Sequence, residues 1–313
     1  MKTVIYKKYG PPEVLQLKEV EKPVPDNNQI LIKIHATTCH IGDVRVRSLD
    51  IPFPYYIPFR FYLGFFKPKN SVLGMELAGE VESVGKDVKR FKAGDKVFAT
   101  TGFKFGAYAE YICMAEHSDK IKNGLVTFMP NNMTYEEAAA GITTGGMTAL
   151  ALIKKVKLDK STTSTGKKKV MIYGASGSLG SYAVQLAKYF GAEVTGVCST
   201  GNIEMVSSLG ADNVIDYTKE DLSKYGKNYD MVYDAVYKLS SCKGKKLLAA
   251  KGIYLRAGAG ESVNIEDLNF LKDLAEEGKL KAIIDRKYPL EEIVEAHRYV
   301  GKGHKKGHVV ITV

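Results

Sequence analysis

No run of apolar residues in this chain approaches the length needed to cross a bilayer. The stretch that raises the question, Ile51 to Phe66, is rich in Phe and Tyr, but Arg60 and three prolines interrupt it. It reads as a loop or short helix beside a pocket, so no membrane partner is expected. No secretory signal is visible, because Met1 leads straight into the strand-like Val4-Ile5-Tyr6. The four cysteines, Cys39, Cys113, Cys198 and Cys242, form no close pair. That spacing argues against a disulfide framework and for a reduced, cytoplasmic protein. A concentrated basic tract is also missing. The net charge is +10, yet the only tight lysine runs are Lys167 to Lys169 and Lys305-Lys306. Scattered lysines read as a solvated basic surface, so no nucleic-acid partner is expected, although a local excess would attract phosphate-bearing small molecules.

What is present is a large α/β chain. Its 313 residues, 45% hydrophobic, suffice for a large core and fit two domains better than one. Up to about Cys113 the pattern is short and strand-like, with candidate strands Val14 to Val20, Gln29 to Thr37, Glu76 to Val84, Asp95 to Ala99 and Ala107 to Cys113. This first part reads as a partly open β-barrel. From Thr134 the texture changes. Helices are expected at Tyr135 to Ala140 and Gly146 to Lys155, and then strands and helices alternate. Strands end at Tyr173, Cys198, Tyr217, Val236 and Ala257, with helices to Phe190 and Leu209 between the first three. Such alternation implies a parallel sheet with right-handed crossovers. The turn Gly174-Ala175-Ser176-Gly177-Ser178-Leu179-Gly180 joins the first of these strands to its helix. A glycine turn opening a helix is an anion site, because free N–H groups point out of the first helical turn. Gly177 lets the backbone approach a pyrophosphate, and Gly180 lets the helix pack on the strand. Ala175 stands where the usual fingerprint has its first glycine.

The chain resembles the medium-chain dehydrogenase/reductase superfamily and, within it, the zinc-independent quinone oxidoreductase-like branch. The residues that carry the resemblance are Gly10 to Leu15, Val72 to Val81, Phe91 to Val97, Gly106 to Tyr111, Gly174 to Gly180 and Ser208 to Asp212. The resemblance implies a GroES-like catalytic domain from residues 1–125 and 285–313, with a Rossmann-like dinucleotide domain, 126–284, inserted between. It also implies hydride transfer from NADPH to a quinone or an activated carbonyl or alkene. An enone or alkenal double-bond reductase remains open, as does a dinucleotide-binding protein with little turnover.

Zinc divides this superfamily. Where the zinc-dependent members carry Gly-His-Glu, this chain reads Gly74-Met75-Glu76, and the lobe of four close cysteines is absent. A thioether is a poor zinc ligand, so no metal is expected. The zinc-free branch often has Asn-x-x-Asp in the early loop. Here His40-Ile41-Gly42-Asp43 keeps the acid and replaces the Asn. His40 and Asp43 are therefore the catalytic candidates. His40 either donates to a substrate oxygen or orders the loop, with the second reading favoured. Tyr55, Tyr56 and Tyr62 lie in the aromatic loop expected to border the substrate pocket.

The expected cofactor contacts are Gly174, Ser176, Gly177, Ser178, Leu179 and Gly180 in the turn, with Ser199, Thr200 and Asn202 after the next strand. No acid stands at Ser199-Thr200, where an NAD site commonly binds the ribose 2′-hydroxyl. Those hydroxyls leave room for a 2′-phosphate, which favours NADPH, while no Arg or Lys stands at the tip. Asn202 is also the expected N-cap of the following helix. The resemblance adds Tyr217 beside the adenosine phosphate, and Thr144 and Thr148 on the nicotinamide side. Ala235, Val236 and Gly258 follow strands whose C-terminal ends face the ligand in a parallel sheet. After Gly258 only Ala259 to Val263 precede the next helix, too few for a crossover and another strand. Either an edge strand that often supports dimers in the family is lost or the stretch is absent from this sequence, which leaves a homodimer open.

Overall fold

The computed structural model describes every residue except 52, 54, 55, 119, 120, 157, 159–165 and 257–262. A mixed sheet of seven strands dominates the first half. Its path runs Ile284–Pro289, His308–Thr312, Gln29–Cys39, Glu76–Val84, Lys96–Thr100 and Leu125–Phe128, while Tyr111–Ala115 pairs separately with Gln29–Cys39. All neighbours are antiparallel except the C-terminal pair, Ile284–Pro289 with His308–Thr312. Ile30, Ile32, Leu77, Val81 and Val97 pack together on this sheet, wholly buried. Leu125–Phe128 belongs here because Leu125 and Val126 are buried against it, so the chain leaves this sheet a few residues after the expected boundary at 126.

The second sheet has five parallel strands in the order Asn213–Asp216, Glu193–Cys198, Lys169–Tyr173, Tyr229–Asp234, Leu248–Arg256. Val170, Ile172, Val194, Met231 and Tyr233 carry no exposed surface or almost none, as strands covered on both faces require. The helix Ser178–Tyr189 packs on it through Ala183, Val184, Leu186 and Ala187. Gly180 makes that approach possible, since a Cβ there would stand 2.1 Å from the carbonyl oxygen of Gly174.

The last strand is longer than the sequence suggests, beginning at Leu248 rather than Ile253, because Gly252 interrupts an apolar pattern that the ladder tolerates. No sixth parallel strand exists among the described residues. Asn264 caps the helix Ile265–Glu276, whose Leu268, Leu271 and Leu274 enter the core, and among the described residues the sheet ends at Leu248–Arg256. Ala107 and Tyr108, expected to begin a strand running to Cys113, are buried loop residues instead, and the strand itself spans Tyr111–Ala115.

Candidate nucleotide and substrate site

The glycine turn lies between Lys169–Tyr173 and Ser178–Tyr189. Gly177 is the N-cap, and no side chain caps it, which leaves the first-turn N–H groups free for an anion. A Cβ on Gly177 would meet only Gly174 O at 3.4 Å and Val236 at 3.9 Å, both ordinary contacts. The protein therefore has no packing need for glycine there, and the bare backbone faces outward. Leu179 is half-buried against the core, and Val236 covers the turn from the fourth strand.

The tail of the other half reaches this turn. Gly307 N donates to Ser176 O at 2.8 Å, and Ser178 Oγ donates to Gly307 O at 2.8 Å. The Lys305 amine donates to Ser178 Oγ and, at 2.5 Å, to Gly307 O. Part of the Lys305 side chain remains solvent-exposed, but its amine lies deep. Burial lowers its pKa to about 8, with Cys39, Asp285 and Glu76 opposing the shift.

At the tip of the second strand Thr200 gives its hydroxyl to the Asp216 carboxylate, with Thr218 Oγ1 3.3 Å away. Thr200 is therefore not a free donor for a 2′-phosphate, contrary to expectation, because Asp216 on the neighbouring strand claims it. Asp216 is buried, and its pKa is lowered by hydrogen bonds from Thr200 and Thr218. Asn202 stands at the expected cap position but caps nothing. Its amide donates instead to Ser176 Oγ and Ser199 Oγ, each at 3.1 Å, tying the tip to the glycine turn. The sequence shows no cation at this tip, yet the fold supplies one: Lys306 Nζ donates to Gly201 O at 3.1 Å. Tyr217 is half exposed beside Tyr173, with ring centroids 6.0 Å apart, and presents an open aromatic face next to the tip.

Deeper in, a wholly buried carboxylate, Glu76, joins the two halves. Its Oε2 accepts from Thr38 Oγ1 at 2.6 Å, and its Oε1 accepts from Thr143 Oγ1 at 3.2 Å and Thr144 N at 3.0 Å. Thr144 Oγ1 donates to the same oxygen. The hydroxyl of Thr144 is thus spent on Glu76, and only its lone pairs remain for a ligand. Thr148, half-buried, lies one turn on in the helix Met147–Val156. Sequence reasoning passed over Glu76 because attention fell on Met75. The signal was the paired hydroxyls Thr37-Thr38 and Thr143-Thr144, donors that need a buried acceptor.

His40 is the N-cap of the helix Ile41–Ser48. Its Nδ1 accepts from Gly42 N at 2.9 Å, and Asp43 Oδ2 accepts from His40 N at 3.1 Å. Asp43 is wholly buried, and its Oδ1 accepts from Gly74 N at 3.2 Å. Both candidates therefore hold the loop. An Nδ1 that accepts places the ring proton on Nε2, which is buried and meets no protein partner. Nearby His297 is held neutral, its pKa lowered to about 3 by burial, with Arg47 and His40 adding to the effect. His308 is also lowered well below the usual histidine range by burial.

Tyr56 and Tyr62 lie on the helix Tyr56–Leu63 and are largely open to solvent, not enclosed in a pocket. Tyr62 Oη donates to Phe103 O at 3.2 Å. Tyr55 and Gly258 fall outside the described residues. Ala235 is buried behind Val236. Met75 packs in the apolar cluster with Cys39, whose thiol is pushed up by burial. Among the described residues no group of three His, Cys, Asp or Glu side chains is placed to hold a metal ion.

Residues 26–154 match the alcohol dehydrogenase GroES-like domain, and residues 254–311 match the zinc-binding dehydrogenase family. A 2-methylene-furan-3-one reductase of Solanum lycopersicum is 35% identical over 99% of this chain and 79% of its own length. An NADPH-dependent alkenal/one oxidoreductase of Arabidopsis thaliana is 31% identical over 99% of this chain and 79% of its own. The quinone oxidoreductase of Coxiella burnetii superposes with a TM-score of 0.85 at 28% identity, covering 100% of this chain and 99% of that one. The chain belongs to the medium-chain dehydrogenase/reductase superfamily, in its quinone oxidoreductase-like branch.

Proposed function

We propose that this protein is an NADPH-dependent oxidoreductase that delivers hydride to a quinone or to an enone. The observation that carries the reading is the uncapped glycine turn, with Lys305 brought to it and Lys306 to the neighbouring tip at Gly201. The relatives' own substrates, quinones and conjugated carbonyls, agree with it.

Bound NADPH supplies the hydride. The protein supplies placement. The N–H groups of Ser178 to Gly180 would hold the pyrophosphate, and the Lys305 amine would add a charge at the same point. Lys306 reaches the adenosine side, where a 2′-phosphate finds a cation and no free carboxylate, since Asp216 is committed to Thr200 and Thr218. The Glu76 lattice fixes Thr144 and the floor of the cleft. His40 keeps its loop in place through Nδ1, and its Nε2–H stays buried without a protein acceptor. The hydroquinone monoanion or enolate that hydride addition leaves needs no strong acid, because water protonates it.

Zinc has no part in this reading. Met75 and the buried, high-pKa Cys39 offer no ligand set. Steady-state NADPH oxidation with a panel of quinones and enones tests the proposal. Turnover with either class supports it. NADPH binding without turnover on any member would instead leave a dinucleotide-binding protein.

A further inference from the structure

Large apolar side chains stand in solvent on one face of the first half. The helix Tyr56–Leu63 and the loop after it expose Ile57, Phe61, Tyr62, Phe65 and Phe66, and Phe66 keeps 89% of its surface. Phe103 belongs to the same face, since its ring lies edge-on to Tyr62 at 5.9 Å. Phe65 in turn touches Phe61 and Phe66, at centroid distances of 6.0 and 5.0 Å. Scattered single apolar residues need no explanation, but a contiguous aromatic group of this kind does.

The charges around it have one sign. No acid occurs between Asp50 and Glu76, nor between Asp95 and Glu110. Within those limits lie Arg60, Lys67, Lys69 and Lys104. Arg60 stacks over the rings of Tyr9 and Phe65, at 5.2 and 5.3 Å, which keeps its charge at the aromatic edge. Lys69 Nζ donates to Phe61 O at 2.9 Å, and Asn70 Nδ2 donates to Lys104 O at 3.1 Å, so both lysines border the same face. Lys67 is exposed to solvent.

We propose that this face seats the protein on an anionic lipid surface. The aromatic side chains enter the headgroup layer, and Arg60, Lys67, Lys69 and Lys104 meet lipid phosphates. A second copy of this chain fits the face less well, because two basic rims would be brought together. Attachment differs from spanning, and no described helix is long and apolar enough to cross a membrane. The sequence-based expectation of no membrane partner rested on the missing span alone. The proposal stands apart from the redox assignment, because none of its residues touches the glycine turn or the Glu76 lattice.

Flotation of the full chain with vesicles tests it. The protein is expected to float with vesicles of phosphatidylcholine and phosphatidylglycerol, to stay behind with phosphatidylcholine alone, and to release as salt rises. A Phe61→Ser/Phe66→Ser double variant and a Lys67→Gln/Lys69→Gln double variant should each lose about tenfold or more in partition, with NADPH binding retained. The lysine pair carries the test if the aromatic variant fails to fold, since those side chains are solvent-exposed. Absence of flotation, or unchanged flotation of the lysine variant, overturns the proposal. So does a concentration-dependent dimer that Phe66→Ser dissolves in a protein that ignores vesicles.

Discussion

The amine of Lys306 donates to the carbonyl oxygen of Gly201 at 3.1 Å, across 105 positions of sequence. A cation from just before the strand His308–Thr312 thus stands at the tip expected to discriminate between the two nicotinamide cofactors. NADPH should bind more tightly than NADH, by roughly tenfold, or about 1.4 kcal/mol. Lys306→Ala should remove most of that preference by weakening NADPH while leaving NADH nearly unchanged. Fluorescence titration of both nucleotides reads it directly, and equal losses for the two would show that Lys306 does not see the 2′-phosphate.

Lys305 makes a pH-dependent contribution. Its amine titrates near 8 because burial disfavours the charge. The protonated form is the one that attracts phosphates, so NADPH affinity should be flat below pH 8 and fall above it, by about tenfold per unit at most. Lys305→Met should bind more weakly at pH 7 and lose the slope. The stability consequence has the opposite sense. Between the folded value near 8 and the ordinary lysine value near 10.5 the unfolded chain holds more protons, so this residue makes stability rise with pH across that window. Below pH 8 its buried charge is a standing cost, and Lys305→Met should melt at a higher temperature there.

Gly177→Val separates packing from binding. The added Cβ meets no protein atom closer than 3.4 Å, and the backbone at φ −83° accepts it. The melting temperature should hold while nucleotide affinity drops at least about tenfold. Normal NADPH binding by this variant would mean that the turn does not carry the pyrophosphate.

For His40 the geometry favours a positional role. His40→Asn keeps an N-cap acceptor, and Asn is among the best caps, so stability should not fall and turnover should drop less than about tenfold. His40→Ala removes the cap and should cost about 1 kcal/mol. A loss of about a hundredfold in His40→Asn turnover, with NADPH affinity and melting intact, would assign the Nε2 proton a direct catalytic role.

Purified protein should contain no stoichiometric zinc, and chelators should leave turnover unchanged. About one zinc per chain by elemental analysis would reverse the reading of Met75 and Cys39.

Much of the frame was legible in the sequence. Glu76–Val84 and Glu193–Cys198 form where β-branched and apolar residues run between turn signals. The short segment from Ala259 to Val263 signalled that no room is left there for a crossover and another strand. The helix Ile41–Ser48 was hidden, because its polar sequence has weak amphipathicity and its cap is a histidine, an uncommon choice. The cofactor turn was readable as a local motif. Its partners were not, because the bonds of Lys305, Lys306 and Glu76 join positions distant in sequence and exist only once the two sheets meet. Thr200 was misjudged for a similar reason, since a free hydroxyl in the sequence became a bound one when Asp216 took the neighbouring strand.

The strand His308–Thr312 lies between Ile284–Pro289 and Gln29–Cys39, its Val309 to Thr312 paired with Cys39 to Ala36. During synthesis, then, the first sheet waits for the last residues. The parallel sheet, made of one uninterrupted stretch of chain, is complete well before them. Until Val309 to Thr312 leave the ribosome, one flank of Ala36 to Cys39 stays unpaired, a bare edge that nascent chains risk joining. Loss of His308–Thr312 would therefore be felt as misassembly around Gln29–Cys39, made long before it, rather than as local fraying.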